Sequence, residues 1–149
     1  MGLENSSNRE PDYCLGLLRE NLPGAVLETL LPQGDATAVV LPGALLQVVD
    51  FLKNDPRLQF DVLVDITAVD YPERKPRFDV VYHFLSLPYN RRLRLKARVD
   101  DGDASLESLA SRWGSANWLE REVWDMFGIR FAGHPDLRRI LMYEEFEGH

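Results

Sequence analysis

Acidic, basic and imidazole side chains are concentrated in one run near the C-terminus, EREVWDMFGIRFAGHPDLRRIL, residues 120–141. Carboxylates and a histidine can serve as the ligands of a metal site or as the catalytic groups of a hydrolase. However, neither Glu122 nor Asp125 has a histidine three or four residues further along, as a Glu-x-x-His metal site requires. His83 and His149 show no ligand spacing, and serine-nucleophile, Walker and dinucleotide motifs do not occur. The pattern disfavours independent catalysis, and a carboxylate–histidine metal hydrolase remains an alternative interpretation.

The same run predicts an ionic clasp. On a helix at about 100° per residue, the apolar residues predicted to share the buried face are Leu119, Val123, Met126 and Phe127. Residues predicted to border that face are Trp118, Glu122 and Asp125 on one side and Glu120 and Trp124 on the other. Arg121 lies opposite, at ion-pair spacing from Asp125. The segment after the helix supplies cations that suit carboxylates, namely Arg130, His134, Arg138 and Arg139. We interpret the helix as one whose border carboxylates hold the irregular segment that follows.

The elements that must position these residues follow from apolar periodicity and turn residues. Helices are predicted over Pro11–Leu22, from Pro42 to the NDP sequence, over Ser105–Trp113, and over Trp118–Phe127. Asn117 and Glu120 resemble a capping box for the last helix, and Gly128 ends it. Strands are predicted in AVLETLLP, ATAVVLP, FDVLVDITAVD, RFDVVYHFLSL and RRLRLKARVD. The last three, joined by short turns, predict an antiparallel meander.

The resulting order, α-β-β-α-β-β-β-α-α, has strands in runs, which indicates an α+β fold. We expect two layers, with helices on one face of a mostly antiparallel mixed sheet. Residues 1–10 are predicted to be a flexible N-terminus and residues 11–127 the α+β domain. Residues 128–149 are predicted to be an extended, irregular C-terminal segment with turns at Gly133 and Pro135.

The composition limits the classes of function. The chain has 149 residues, a net charge of -7 and a single cysteine, Cys14. One cysteine cannot by itself hold an iron–sulfur cluster or zinc, and the acidic balance argues against nucleic-acid binding. No run reaches the roughly 20 apolar residues of a membrane span.

Four cations alternate with apolar residues in RRLRLKARVD: Arg92, Arg94, Lys96 and Arg98. Because a strand directs alternate side chains to opposite faces, one face of this strand is a row of positive charge. One interpretation is an exposed sheet face whose charge discourages edge pairing. A second is a docking surface for an acidic partner subunit. A third, RNA binding, is disfavoured because the strand lacks the aromatic stacking pattern of an RNA-recognition sheet and the net charge opposes it.

The clasp region resembles the signature of a known family, the C subunit (30 kDa subunit family) of proton-pumping NADH:quinone oxidoreductase, respiratory complex I. The matching positions are Glu120, Arg121, Glu122, Asp125, Met126, Phe127, His134, Arg138, Ile140 and Leu141. The segment VDITAVDYPERKPRFDVVYHFLS also looks like the central hairpin of that family. The likeness covers all but the first few residues.

The resemblance implies a non-catalytic core subunit of the hydrophilic arm. Such a protein docks the D subunit of the complex near the quinone site, close to the B subunit, and carries no cofactor itself. In the parent complex, electrons pass from NADH through FMN and iron–sulfur clusters to quinone, and proton translocation is coupled to this transfer. The chain would reach the membrane only through the complex.

Two further expectations complete the interpretation. Without a transit peptide at its start, the chain is expected on the cytoplasmic side of a bacterial inner membrane, as a peripheral protein. The resemblance also leaves open an equivalent component of a membrane-bound hydrogenase or of a plastid-type NADH-dehydrogenase-like complex.

Overall fold

The computed structural model describes residues 11–102 and 105–135. Within these ranges the helices are α1 (Pro11–Asn21), α2 (Leu45–Asn54) and α3 (Ser115–Phe127). The strands are β1 (Val26–Leu30), β2 (Thr37–Val40), β3 (Val62–Asp70), β4 (Phe78–Ser86), β5 (Arg91–Val99), β6 (Ser105–Glu107) and β7 (Arg130–Ala132). Single 3-10 turns precede β2 and α2.

Five strands form one sheet in the order β1-β2-β5-β4-β3. The strands β3, β4 and β5 form the expected antiparallel meander, and β2 lies parallel to β5. A parallel neighbour arises because α2 and β3–β4 intervene between β2 and β5, which gives the chain room to cross over. The α+β class with a mostly antiparallel mixed sheet is therefore confirmed.

The helices cover one face of this sheet. The side chains of β5 that face the core are Leu93, Leu95, Ala97 and Val99, and all four are buried. Buried apolar residues of α1, α2 and α3 belong to the same cluster, among them Leu18, Leu52 and Val123. This burial explains why the period-3.6 pattern of α2 and the period-2 pattern of β5 were readable in the sequence.

The predicted helix over Ser105–Trp113 is wrong. Residues Ser105–Glu107 form β6, which pairs in parallel with β7, 25 residues further along (Ser105 with Arg130). A turn follows, in which the backbone N–H groups of Arg112 and Trp113 both donate to the carbonyl of Leu109. Non-local strand pairing has overridden a weak local helical pattern.

The order of elements is corrected accordingly to α-β-β-α-β-β-β-β-α-β. The start of the last helix is also corrected: α3 begins at Ser115, so Asn117 lies inside it and makes no capping box. The Ser115 hydroxyl donates to the Leu63 carbonyl at 2.9 Å, which ties the start of α3 to β3. Gly128 does end α3, with a left-handed φ of 75° that favours glycine.

Candidate functional site

The carboxylate of Glu120 lies inside the protein, although the sequence placed it at a border of the buried face. The buried residues of α3 are Ala116, Glu120, Val123 and Trp124. Met126, predicted to be buried, is 74% exposed. The buried face is therefore rotated toward Glu120 and Trp124, because the turn after β6 brings hydrogen-bond donors that compensate a buried carboxylate.

Two donors from that turn contact Glu120. The Ser108 hydroxyl donates to Glu120 Oε1 at 2.6 Å, and the backbone N–H of Leu109 donates to Oε2 at 2.7 Å. The Ser108 hydroxyl also accepts from the N–H of Ala110 at 3.0 Å. One carboxylate thus fixes the backbone of the turn that the sequence assigned to a helix.

His134 links the end of β7 to the start of α3. Its Nε2 lies 2.7 Å from the carbonyl oxygen of Asn117. A carbonyl can only accept, so Nε2 carries a proton and donates. The same nitrogen lies 4.0 Å from Glu120 Oε1, and both side chains are fully buried. The predicted approach of His134 to an acid of this helix thus occurs at Glu120.

Burial raises the pKa of Glu120 to about 7, the largest effect on this group. The hydrogen bonds from Leu109 and Ser108 oppose that shift because they favour the charged form. The Tyr82 hydroxyl is also buried, and its pKa is raised first by burial and then by the charge of Glu120. We call this group of Ser108, Leu109, Glu120 and His134 the Glu120 clasp.

Other predicted contacts of the clasp do not form among the described residues. The Arg121 guanidinium lies over the ring of Trp118, 5.3 Å from its centroid, and makes no ion pair with Asp125 in the part of the chain that the structure describes. Glu122, Asp125 and Arg130 are exposed, and Phe127 packs against the core. Arg138, Arg139, Ile140 and Leu141 lie outside the described residues.

The structure does not bring the predicted metal-ligand types together. Glu122 and Asp125 face solvent on α3, whereas His134 is directed into the protein toward Asn117. Across residues 11–102 and 105–135, no three His, Cys, Asp or Glu side chains could hold a metal ion.

The predicted row of cations lies on the sheet face opposite the helices. We call this surface the basic row: Arg92, Arg94, Lys96 and Arg98. Its strand, β5, is hydrogen-bonded on both sides, to β2 and to β4. The interpretation that its charge discourages edge pairing is therefore wrong, because β5 is central in the sheet.

Two of the four cations in the basic row lie close to acidic side chains of neighbouring elements. Arg94 lies 3.6 Å from Asp35, and Arg98 lies 3.5 Å from Glu28 and 3.6 Å from Asp79. Lys96 lies between Val39 and Val81 on the flanking strands, and both valines are buried. Within the described ranges neither Lys96 nor the exposed Arg92 has an acidic partner.

Several residues of the site were missed by sequence reasoning. Ser108, Leu109 and Asn117 contribute through a turn and through backbone groups, which a motif does not reveal. Arg112 makes a bidentate contact of 2.8 and 2.9 Å with Asp50 on α2, 62 residues away. The only local signal was the Ser108-x-Ala110 spacing, at which a serine hydroxyl can accept from the backbone and compete with a helix.

The described helices include none that is long and apolar enough to span a bilayer.

A family model for the 30 kDa subunit of respiratory-chain NADH dehydrogenase matches residues 38–149. The C subunit of NADH-quinone oxidoreductase from Cereibacter sphaeroides is 52% identical over 132 residues, which are 89% of this chain and 66% of that protein. The C subunit from Roseiflexus sp. is 44% identical over 149 residues, which are 100% of this chain and 82% of that protein.

Solved structures agree with these relatives. The trypsin-resistant fragment (1-134) of Nqo5 matches with a TM-score of 0.72 and 33% identity, over 83% of this chain and 99% of the fragment. A chain of the membrane-bound sulfane sulfur reductase, an archaeal respiratory membrane complex, matches with a TM-score of 0.71. At 22% identity, over 85% of this chain and 72% of that one, this second likeness shows the fold alone. The match spans less than two thirds of the length of the Cereibacter relative. It covers 59% of the C subunit from Dinoroseobacter shibae.

Proposed function

Because the chain belongs to the family of the 30 kDa subunit of respiratory-chain NADH dehydrogenase, we propose that it is a non-catalytic docking subunit of an NADH:quinone oxidoreductase. It stands in the hydrophilic arm of that complex and supports electron transfer from NADH to quinone, which is coupled to proton translocation. The observation that carries the proposal is the Glu120 clasp. Its carboxylate and imidazole are buried and bonded to backbone groups and a serine, an arrangement that holds a chain segment in place.

A catalytic site requires reactive groups that reach a substrate. Glu120 and His134 are fully buried at the side chain, so solvent and substrates do not reach them in this structure. The exposed acids of α3, Glu122 and Asp125, belong to no group of three His, Cys, Asp or Glu side chains that could hold a metal ion among the described residues. This separation supports a docking role over a metal hydrolase.

The partners that we propose are the D subunit of the complex, beside the quinone site, and the B subunit. The chain itself holds no cofactor in this proposal, and FMN and the iron–sulfur clusters are carried by other subunits. It is peripheral, on the cytoplasmic side of a bacterial inner membrane. The basic row offers one contact, since Lys96 and Arg92 are available for acidic groups of a neighbouring protein.

Co-purification tests this proposal. The full chain, with an affinity tag, is co-expressed with the B and D subunits from the same genome, and the three are isolated together in mild detergent. We expect a stable complex with both partners, while the chain alone shows no visible absorbance and no NADH oxidation. Failure to retain either partner would contradict the proposal.

Elemental analysis of the isolated chain separates docking from hydrolysis. We expect no stoichiometric metal in the wild-type chain, nor any difference in metal content for Asp125→Asn or His134→Ala. A metal ion bound at one equivalent, and lost in either variant, would support the hydrolase interpretation.

A further inference from the structure

The solvent face of α3 exposes two large apolar side chains. Trp118 is 59% exposed and Met126 is 74% exposed. At about 100° per residue, Asp125, Trp118, Glu122 and Met126 fall within an arc of about 100° on one side of the helix. The residues on the opposite side are buried, among them Val123 and Glu120. We call this surface the α3 face.

Folding of the domain does not account for the apolar residues of the α3 face. Neither Trp118 nor Met126 belongs to the core cluster, whereas the other two tryptophans, Trp113 and Trp124, are buried. The ring of Trp118 is held by the Arg121 guanidinium at 5.3 Å, a cation–π distance that orients it at the surface. Tryptophan, methionine and arginine are enriched in the central parts of protein interfaces.

The charges of the α3 face indicate what kind of surface it fits. Glu122 and Asp125 are exposed beside Trp118 and Met126, and neither makes a salt bridge with another described residue. Two carboxylates beside apolar side chains oppose binding to an anionic membrane. They favour a protein surface on which an apolar pocket is bordered by arginine or lysine.

We propose that the α3 face docks a partner protein through an apolar pocket with a basic rim, with Trp118 and Met126 in the pocket. The proposal rests on the proposed function only for the identity of that protein, which would be the B or the D subunit of the complex. It adds a second contact of opposite charge to the basic row, so the chain would contact its neighbours on two separate faces.

Measurements of affinity for the partners test whether the α3 face is a docking surface. The purified B and D subunits are titrated into the full-length chain carrying Trp118→Ser, Met126→Ser or Glu122→Lys. We expect each variant to bind about tenfold or more weakly, as hot-spot residues do. The matched control is Leu87→Ser, in the turn between β4 and β5, where a leucine is 63% exposed, and we expect it to bind as the wild type does.

Tryptophan fluorescence gives an independent measurement. Since Trp118 is the exposed one of three tryptophans, acrylamide should quench mainly its emission, and addition of the partner should protect it. If the wild type binds, the three variants bind with the same affinity, and the partner does not protect Trp118 from quenching, then the α3 face is not a docking surface. The proposed function would stand in that case. Absence of wild-type binding to the B and D subunits would instead contradict the proposed function.

Other occupants of the α3 face give distinct results. Light scattering would detect a second copy of the chain, as a dimer that Trp118→Ser dissociates. Deletion of residues 136–149 would raise the quenching of Trp118 if that segment covers the face. Either result would overturn docking of a partner protein there.

Discussion

The backbone N–H of Leu109 donates a 2.7 Å hydrogen bond to the carboxylate of Glu120, joining the turn after β6 to α3. The bond is buried, so an alternative bond to water is not available to either group. Because β6 pairs with β7, which follows α3, this one carboxylate fixes both chain segments that flank its own helix. Glu120 thus helps to hold the C-terminal part of the described chain on the body of the protein, together with the β6–β7 pairing.

Glu120→Ala should destabilise the domain by about 2–4 kcal/mol, because it leaves the Leu109 N–H and the Ser108 hydroxyl buried without their acceptor. Glu107→Ala, at an exposed position of β6, is the matched control and should change stability by less than about 0.5 kcal/mol. Urea unfolding at pH 5, where the buried Glu120 carboxyl is protonated and carries no charge penalty, measures both. Equal effects of the two substitutions would show that the buried hydrogen bonds contribute no stability.

The stability of the wild type should fall as pH rises from about 5 to 7, relative to Glu120→Gln. Burial raises the pKa of Glu120 from 4.5 to about 7, so in this window the folded state binds a proton that the unfolded state has lost. The difference should approach about 3 kcal/mol and should level off above about pH 8. It is measured as the difference in the free energy of unfolding between the two proteins.

Titrating groups whose pKa shifts do not arise from Glu120 cancel in this comparison. The pKa of His83 is lowered, chiefly by burial, and its contribution rises with pH over part of the same window. The pKa values of Asp50 and Asp55 are lowered, first by hydrogen bonds from arginines, so their contributions are lost only in more acidic solution. All of these groups are present in both proteins and cancel. A difference that is independent of pH would contradict the raised pKa of Glu120.

Lys96→Glu should weaken binding to an acidic partner about tenfold, with a smaller loss at high salt, because it reverses a charge at the centre of the basic row. The matched control is Lys75→Glu, at a side chain that is 87% exposed in the turn between β3 and β4. Both variants are titrated with the B and D subunits at two salt concentrations. Equal affinities of the two variants would show that the basic row is not part of the docking surface.

Local patterns made much of the fold predictable. The alternating residues of β5 and the period of α2 predicted their elements because each places one side against the same core. The helix predicted over Ser105–Trp113 failed because its apolar spacing fits a helix, whereas Leu106 pairs with Phe131 far along the chain. A pairing of that separation leaves no local signal.

The candidate site was predictable in its residue types and only partly in its geometry. Glu120 and His134 were singled out, and they lie close together. Helical geometry alone placed Glu120 at a border, because the donors that make its burial favourable come from Ser108 and Leu109 in a different segment. A charged residue is assigned to the surface until its partners are known.

Turnover per assembled complex distinguishes docking from catalysis most directly. The parent complex is isolated with Glu122→Gln, Asp125→Asn or His134→Gln in this chain, and its amount and its NADH:quinone reductase rate are measured separately. We expect a reduced amount of complex, while each assembled complex turns over at the wild-type rate. A normal amount of complex that has lost its turnover would mean that these carboxylates or the imidazole act in the reaction itself.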